Sequence, residues 1–254
     1  MKSISKKFLN WCIRGSNKLN LFNIIKNDPK YWLVDQINKE DIPKEEYIHQ
    51  FTKILEEWDH LGIGYLSLLM DEHFESWLLQ KKFSKISSIV EYTRKLEDLP
   101  QIDDQIVWHS LSEGIMDDRE YAELYDLCRM GSANKNIKQP IDQVMHSIKN
   151  ELGPEWRKYC YYFTKNETLI GISIPHIEMG TEDEGRLFYF GVVPNLRGQG
   201  LGITIHKISL ALLKNFKASY YVGSTDVHNS NMIKIFEKNE CELRDRKGIY
   251  KIVK

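Results

Sequence analysis

The stretch VVPNLRGQGLG, residues 192–202, constrains this chain more than any other. It follows RLFYFGVV at 186–193, aromatic and β-branched residues that read as a strand. It precedes a segment whose apolar positions Ile205, Ile208, Leu212 and Phe216 share one helical face. Gly198, Gly200 and Gly202 alternate through the turn between the two. Glycines there leave main-chain N–H groups unscreened, and the following helix presents its unsatisfied first-turn amides and positive dipole end to the same point. Such a turn suits an anion, a pyrophosphate above all, and Arg197 adds charge. A Walker loop needs GK[ST], which is missing. A Rossmann GxGxxG fails because Ile203 stands at the third glycine. A glycine-rich strand-to-helix turn with no ligand is the plain alternative.

Around this turn, helices and strands alternate. Tyr47, Phe51, Ile54, Leu55 and Trp58 mark a helix over 47–60, followed by a strand in LGIGYLSLLM at 61–70, a helix over 73–83 and a strand or hairpin from 84. The polar LEDLP, continuing to Asp103-Asp104, predicts a domain boundary near residue 100, dividing 1–100 from 101–254. Beyond it come a strand at 106–111, a helix introduced by Asp117-Asp118 and stopped by Gly131, a loop at 132–140 and a helix at 141–152. Strands follow at 157–163, 168–177 and 186–193, the first two joined by an Asn166-Glu167 hairpin turn. The pattern ends with a helix at 200–217, a strand at 218–227, a helix at 231–239 and a last strand through Tyr250. This order gives an α/β or α+β sheet.

Composition narrows the partners. With 35 basic against 36 acidic residues the formal charge is −1, so no global basic field draws the chain to nucleic acid or to a membrane surface. The apolar run after Lys2, Lys6 and Lys7 is too short and lacks the cleavage site of a signal peptide, and no run reaches the roughly 18 apolar residues of a membrane helix. Cys12, Cys128, Cys160 and Cys241 are scattered, without metal-ligand spacing, and read as reduced thiols in a cytoplasmic protein.

The loop resembles the signature of the GNAT superfamily of acyl-CoA-dependent N-acyltransferases, V-x-P-x-x-R-G-x-G-x-G/A, through Val192, Pro194, Arg197, Gly198, Gly200 and Gly202. NSNMIKIFEKNEC, 229–241, is similar to that superfamily's later helix and turn, and the resemblance extends over about 103–254. It implies a mixed, mostly antiparallel sheet flanked by helices and splayed beside Val192 and Val193; residues 1–100 read separately as a smaller N-terminal α/β domain. It also implies acetyl-CoA as donor, its arm on Val192, Val193 and Asn229 and its pyrophosphate on the amides of Arg197, Gly198, Gly200, Leu201 and Gly202. The reaction implied is direct attack by a primary amine, with a small-molecule acceptor expected. A CoA-binding regulatory module and a protein lysine or N-terminal acetyltransferase are the alternatives.

Two positions depart from that pattern. Phe236 occupies the place of the tyrosine that protonates the leaving thiolate, and 186–193 holds no glutamate to serve as base. Tyr189 and His176 are the candidate catalytic side chains near the acceptor, although each also reads as packing or as a strand end. In the first hundred residues, YWLV at 31–34 aligns with YFGV at 189–192 and ILEEW at 54–58 with LLKNF at 212–216, which suggests a duplicated, degenerate half. Where the second half has RGQGLG, the first has KEDIPK at 39–44, without glycine and with two carboxylates and a proline, so no CoA site is expected there.

Overall fold

The computed structural model describes residues 20–37, 39, 41–98, 105–132 and 139–254. Cys12 and its lysine-rich segment, Glu40, and the stretch from Leu99 to Asp104 lie outside the described residues. The chain forms two compact units, one from the N-terminal part through Ile86 together with Gly248–Lys254, the other Ser87–Lys247. The division falls earlier than residue 100. The strand Ser84–Lys95 continues without a break, and its residues from Ile89 to Lys95 pair with the strand Tyr220–Asp226 of the second unit.

In the first unit, β1 (Phe22–Asn27) and β2 (Tyr31–Gln36) form an antiparallel hairpin, and β3 (Tyr65–Asp71) lies parallel to β2. Between β2 and β3, α1 (Lys44–His60) buries Tyr47, Phe51 and Trp58 at helical spacing. They pack with Trp32, Leu66, Leu68 and Phe74 in one core. α2 (Glu75–Gln80) follows β3. The run 61–70 is only partly a strand: Leu61 and Gly62 donate to Glu57 O and Asp59 O, closing α1, and extended chain starts at Tyr65.

In the second unit the strands are β4 (Ser84–Lys95), β5 (Ile106–Ser110), β6 (Tyr161–Lys165), β7 (Thr168–Ile177), β8 (Glu184–Val192) and β9 (Tyr220–Asp226), in the sheet order β4-β9-β8-β7-β6-β5. The pairs β4–β9, β5–β6, β6–β7 and β7–β8 are antiparallel, and β8–β9 is parallel. One face carries α3 (Asp118–Cys128) and α4 (Ile141–Leu152), packed on Ile172, Ile174 and Val193. The other carries α5 (Leu201–Asn215) and α6 (Ser230–Lys238), and β10 (Glu242–Val253) closes the chain.

Local chemistry explains the boundaries. Asp117 caps α3 by accepting from Arg119 N and Glu120 N, and Asp117 N donates in turn to the Glu120 carboxylate. The Asn166-Glu167 turn has φ of 48° and 61°, the doubly left-handed geometry that suits a two-residue hairpin. The strand expected at 157–163 begins later, at Tyr161. Lys158 N and Tyr159 N donate instead to Glu155 O and Trp156 O in a short 3-10 turn. Among the described residues no helix is long and apolar enough to cross a membrane, and no His, Cys, Asp and Glu cluster could hold a metal.

Candidate active site

β8 and β9 pair only at Glu184↔Tyr220 and Gly185↔Tyr221. Beyond Gly185 they part, and a pocket of about 550 Å³ is lined by residues of both. On its other side β8 stays on β7, but in two registers: Gly171↔Val192 and Ser173↔Phe190, then Pro175↔Leu187 and Ile177↔Gly185. The registers differ by one residue, so Phe188 and Tyr189 together oppose Ile174 in a β-bulge. Strict alternation would send these neighbours to opposite faces. Both instead pack against the α3–α4 side, with Leu187 and Phe190 on the α5–α6 side.

The ladder also fixes where main-chain groups point. Val193 N donates to Ile170 O at 3.0 Å, which makes Gly171↔Val192 the neighbouring non-bonded pair of an antiparallel ladder. The N–H and C=O groups of Val192, and those of Phe190 two residues before, therefore turn away from β7 toward the gap.

At the end of β8 a 3-10 turn, Pro194–Leu196, leads to Gly198 and Gly200 at φ 78° and 80°. Only glycine takes this left-handed conformation without strain, and a Cβ at either position would meet nothing within 4 Å. Among the described residues, no N–H of residues 198–202 finds an acceptor, although Ile203 N and Thr204 N donate to Gly200 O. The amides that open α5 thus face a clear space, with the helix dipole behind them. Gly202 has a different cause: a Cβ there would lie 2.9 Å from Ile235 Cδ1, so it lets α5 approach α6.

The other residues singled out in the sequence divide into wall and scaffold. Val192 lines the pocket, and its carbonyl accepts from Arg197 Nε at 3.0 Å. Val193 lies outside the pocket lining: its N–H is held by Ile170 and its carbonyl accepts from Leu196 N. Arg197 lines the pocket, yet its guanidinium donates to three carbonyls, Val192, Gly131 and Cys128, tying the loop to the end of α3, and its own N–H goes to Pro194 O. Its charge is turned to carbonyl oxygens rather than outward. Lys234 also lines the pocket, with no ion pair among the described residues. Leu201 begins α5 with an undonated amide. Asn229 caps α6 by accepting from Met232 N at 3.3 Å while donating to Thr225 Oγ1 at 2.9 Å.

Tyr189 lies in the pocket wall, its ring 4.3 Å from that of Tyr125 and folded over Gly191, and burial pushes its phenol up. His176 does not line the pocket. It is buried on the α3–α4 side, its Nε2 3.7 Å from both Glu151 and Glu178, and the nearby imidazole, helped by Arg186, holds Glu178 below the usual carboxylate range. The register of β7, which sets His176 opposite Arg186 below the bulge, separates it from Tyr189.

Further residues stand at or beside the site. Glu184 is the first residue of β8, and it accepts from Arg186 Nε at 2.6 Å and from Tyr220 Oη at 3.0 Å. Ser224, in the pocket wall, donates to Glu91 Oε2 at 3.0 Å. Tyr221 and Phe236 line the pocket on the α5–α6 side, with His206 beside both rings. A lone histidine within LGITIHKISL reads as core, and nothing in its spacing signals more.

No family model matches the chain. N-alpha-acetyltransferase 30 of Schizosaccharomyces pombe is 24% identical over 117 residues, 45% of this chain and 75% of that protein. A GCN5-related N-acetyltransferase from Sphaerobacter thermophilus superposes with a TM-score of 0.64 at 10% identity, over 91% of this chain and 76% of its own. A tandem GNAT protein from the clavulanic acid biosynthesis pathway gives 0.59 at 12% identity, over 94% and 81%. Mixed sheet, bulged strand, parted parallel pair and glycine turn are thus found in a chain whose fold is that of the GCN5-related N-acetyltransferases, the GNAT fold.

Proposed function

We propose that this chain is an N-acetyltransferase that moves an acetyl or other short acyl group from acetyl-CoA to a primary amine. The observation that carries the reading is the row of undonated amides at 198–202, opening a helix at the mouth of the gap between β8 and β9. A diphosphate fits there, because the space above Gly198 and Gly200 is clear and the helix dipole favours negative charge. Lys234 adds a cation. Val192 offers main-chain groups to an extended amide-bearing arm.

Bound acetyl-CoA supplies a thioester carbon open to attack by an amine. The chain's contribution is orientation and charge stabilisation. The Phe190 N–H, aimed into the gap just past the bulge, is the main-chain donor available to an acyl oxygen. Glu91, reaching the wall through Ser224, is a carboxylate placed to take the proton of an incoming ammonium through water. The first unit holds its parallel pair β2 and β3 together from Tyr31↔Tyr65 to Asp35↔Leu69, which supports a single CoA site. The buried thiols Cys128, Cys160 and Cys241, all pushed up to about 12 by burial, suit a reducing compartment, the cytoplasm.

A polypeptide N-terminus is the second acceptor class, favoured by the yeast relative. Calorimetric titration with acetyl-CoA, followed by thiol release with alkyl amines, amino sugars and a peptide bearing a free N-terminus, tests the proposal. Saturable binding with release dependent on one amine class is expected. Binding without amine-dependent release would favour a CoA-responsive regulator, and no binding by folded protein would remove the assignment.

A further inference from the structure

Position 236 presents a phenyl ring to the pocket, so the helix that follows β9 offers no proton there. A thiolate departing into a buried gap still needs one. The side chain beside Phe236 is Tyr221 of β9, whose ring centroid lies 6.3 Å away and which lines the same pocket. Its ring folds along the strand over Gly223: a Cβ on that glycine would lie 2.0 Å from Tyr221 Oη and 3.1 Å from Phe236 Cε1. Gly223 itself lines the pocket. The hydroxyl therefore sits at the wall, at the level where β8 and β9 have already parted.

Tyr221 Oη has one partner among the described residues, His206 Nε2 at 3.3 Å. The direction of that bond follows from the other ring nitrogen. Asn239 Nδ2 lies 3.1 Å from His206 Nδ1 and 3.1 Å from each of two carbonyls, Ile203 O and Ile235 O. Facing two carbonyls, this end of the amide must be the NH₂, even though Asn239 Oδ1 is left without a partner. Nδ1 faces a donor and so carries no proton. The proton of the neutral ring is on Nε2, which donates to Tyr221 Oη, and the phenolic O–H is left to donate elsewhere. Arg94 Nη1 holds Asn239 O from β4, fixing the far end of the chain. Burial keeps His206 neutral, pushing it down to about 3 with Arg94 adding to the effect. Burial pushes the Tyr221 phenol well up, with Cys241 adding to the effect and Arg186 opposing it.

The geometry points to Tyr221 as the proton donor to the sulfur leaving group, with His206 and Asn239 as positioning residues that hold its hydroxyl. This rests on the proposed acetyl transfer. As the amine nitrogen forms the C–N bond and the C–S bond breaks, sulfur leaves with the bonding pair and takes the Tyr221 proton. His206 Nε2–H stabilises the phenolate without giving up its own proton. The proton shed by the amine nitrogen then restores Tyr221 through solvent, so no net proton is gained or lost.

Three measurements on the full chain test the assignment. Long-range ¹H–¹⁵N NMR of the protein without ligand is expected to show His206 as the neutral Nε2–H tautomer from pH 8 to 5. An Nδ1–H tautomer, or titration in that range, would overturn the relay whatever the enzyme does. Ionisation of the CoA thiol in the complex, read by thiolate absorbance against a desulfo-CoA blank, is expected at lower pH in the wild type than in Tyr221→Phe, with the difference recovered when Phe236→Tyr is added. Equal ionisation overturns the proposal. In turnover, Tyr221→Phe is expected to lower kcat by about 100-fold with KM for acetyl-CoA within about twofold, and Phe236→Tyr to restore it in part. Acetyl transfer unchanged in Tyr221→Phe removes this inference and leaves the acetyltransferase standing, whereas a wild type that binds no acetyl-CoA removes both.

Discussion

At the scale of single residues, the glycine turn separates positions needed for a ligand from positions needed for packing. Gly200→Glu sets a carboxylate where a diphosphate is proposed, and like charges a few ångströms apart near a protein surface repel by about 2 kcal/mol or more, roughly thirtyfold in affinity. Gly114→Glu makes the same charge change at a similar left-handed position, φ 73° with nothing within 4 Å. Calorimetry is expected to show weakened acetyl-CoA binding in the first variant and none of that loss in the second; equal losses would mean that charge and strain, not the site, are responsible. Arg197 makes a contrasting case. The sequence pattern makes it a phosphate ligand, but its fork holds the carbonyls of Val192, Cys128 and Gly131. Arg197→Met is therefore expected to lower unfolding stability by about 2 kcal/mol in a urea titration. A variant as stable as the wild type would return Arg197 to the role of a ligand. Its charge was legible from sequence, whereas the direction of its side chain depends on where α3 ends.

At the scale of elements, the turn and its helix were legible because glycine spacing and helical periodicity are local. The bulge was not. In RLFYFGVV every residue near the register shift is apolar or aromatic, so an extra residue leaves no mark on the hydrophobic pattern, and only the pairing with β7 reveals it. The same holds for the early end of the β8–β9 ladder, since unpairing is a property of two strands rather than of either alone. These features predict a pattern of hydrogen exchange. The amides of Phe190, Val192 and 198–202, lacking ladder or helix partners, are expected to exchange rapidly in free protein and to slow on saturation with acetyl-CoA. The β2 amides, paired through Asp35↔Leu69, are expected to be unaffected. Slowing in both parallel pairs, or in neither, would contradict one cleft with one ligand. The boundary near residue 100 failed for a similar reason: LEDLP is a true polar break, but β4 before it belongs by pairing to β9.

At the scale of the whole molecule, strand, helix, strand, helix, strand recurs as β2-α1-β3-α2-β4 and β8-α5-β9-α6-β10, an order readable from alternating periodicities in both halves. What the order does not reveal is which half opens its parallel pair, or which polar groups the closed layers bury. His206 is such a group, and it ties the site to global stability. In the unfolded chain its imidazole titrates near 6.5, while burial in the fold pushes it down to about 3. Below pH 6.5 the unfolded chain binds a proton that the folded one refuses. The stability contributed by the neutral ring is therefore complete above that pH and falls by about 1.4 kcal/mol per unit until the folded value is reached. Between pH 6.5 and 5 this amounts to about 2 kcal/mol, before the carboxylates Glu113 and Glu178, whose folded values are depressed, begin to add their own losses. Urea midpoints across pH 8 to 5 are expected to fall in the wild type. His206→Leu removes both the titration and the donor to Tyr221 Oη, so that variant is expected to be less stable at pH 8 and nearly flat below it. A wild-type profile as flat as the variant's would mean that His206 accepts its proton in the fold, and the neutral ring that orients Tyr221 would be lost with it.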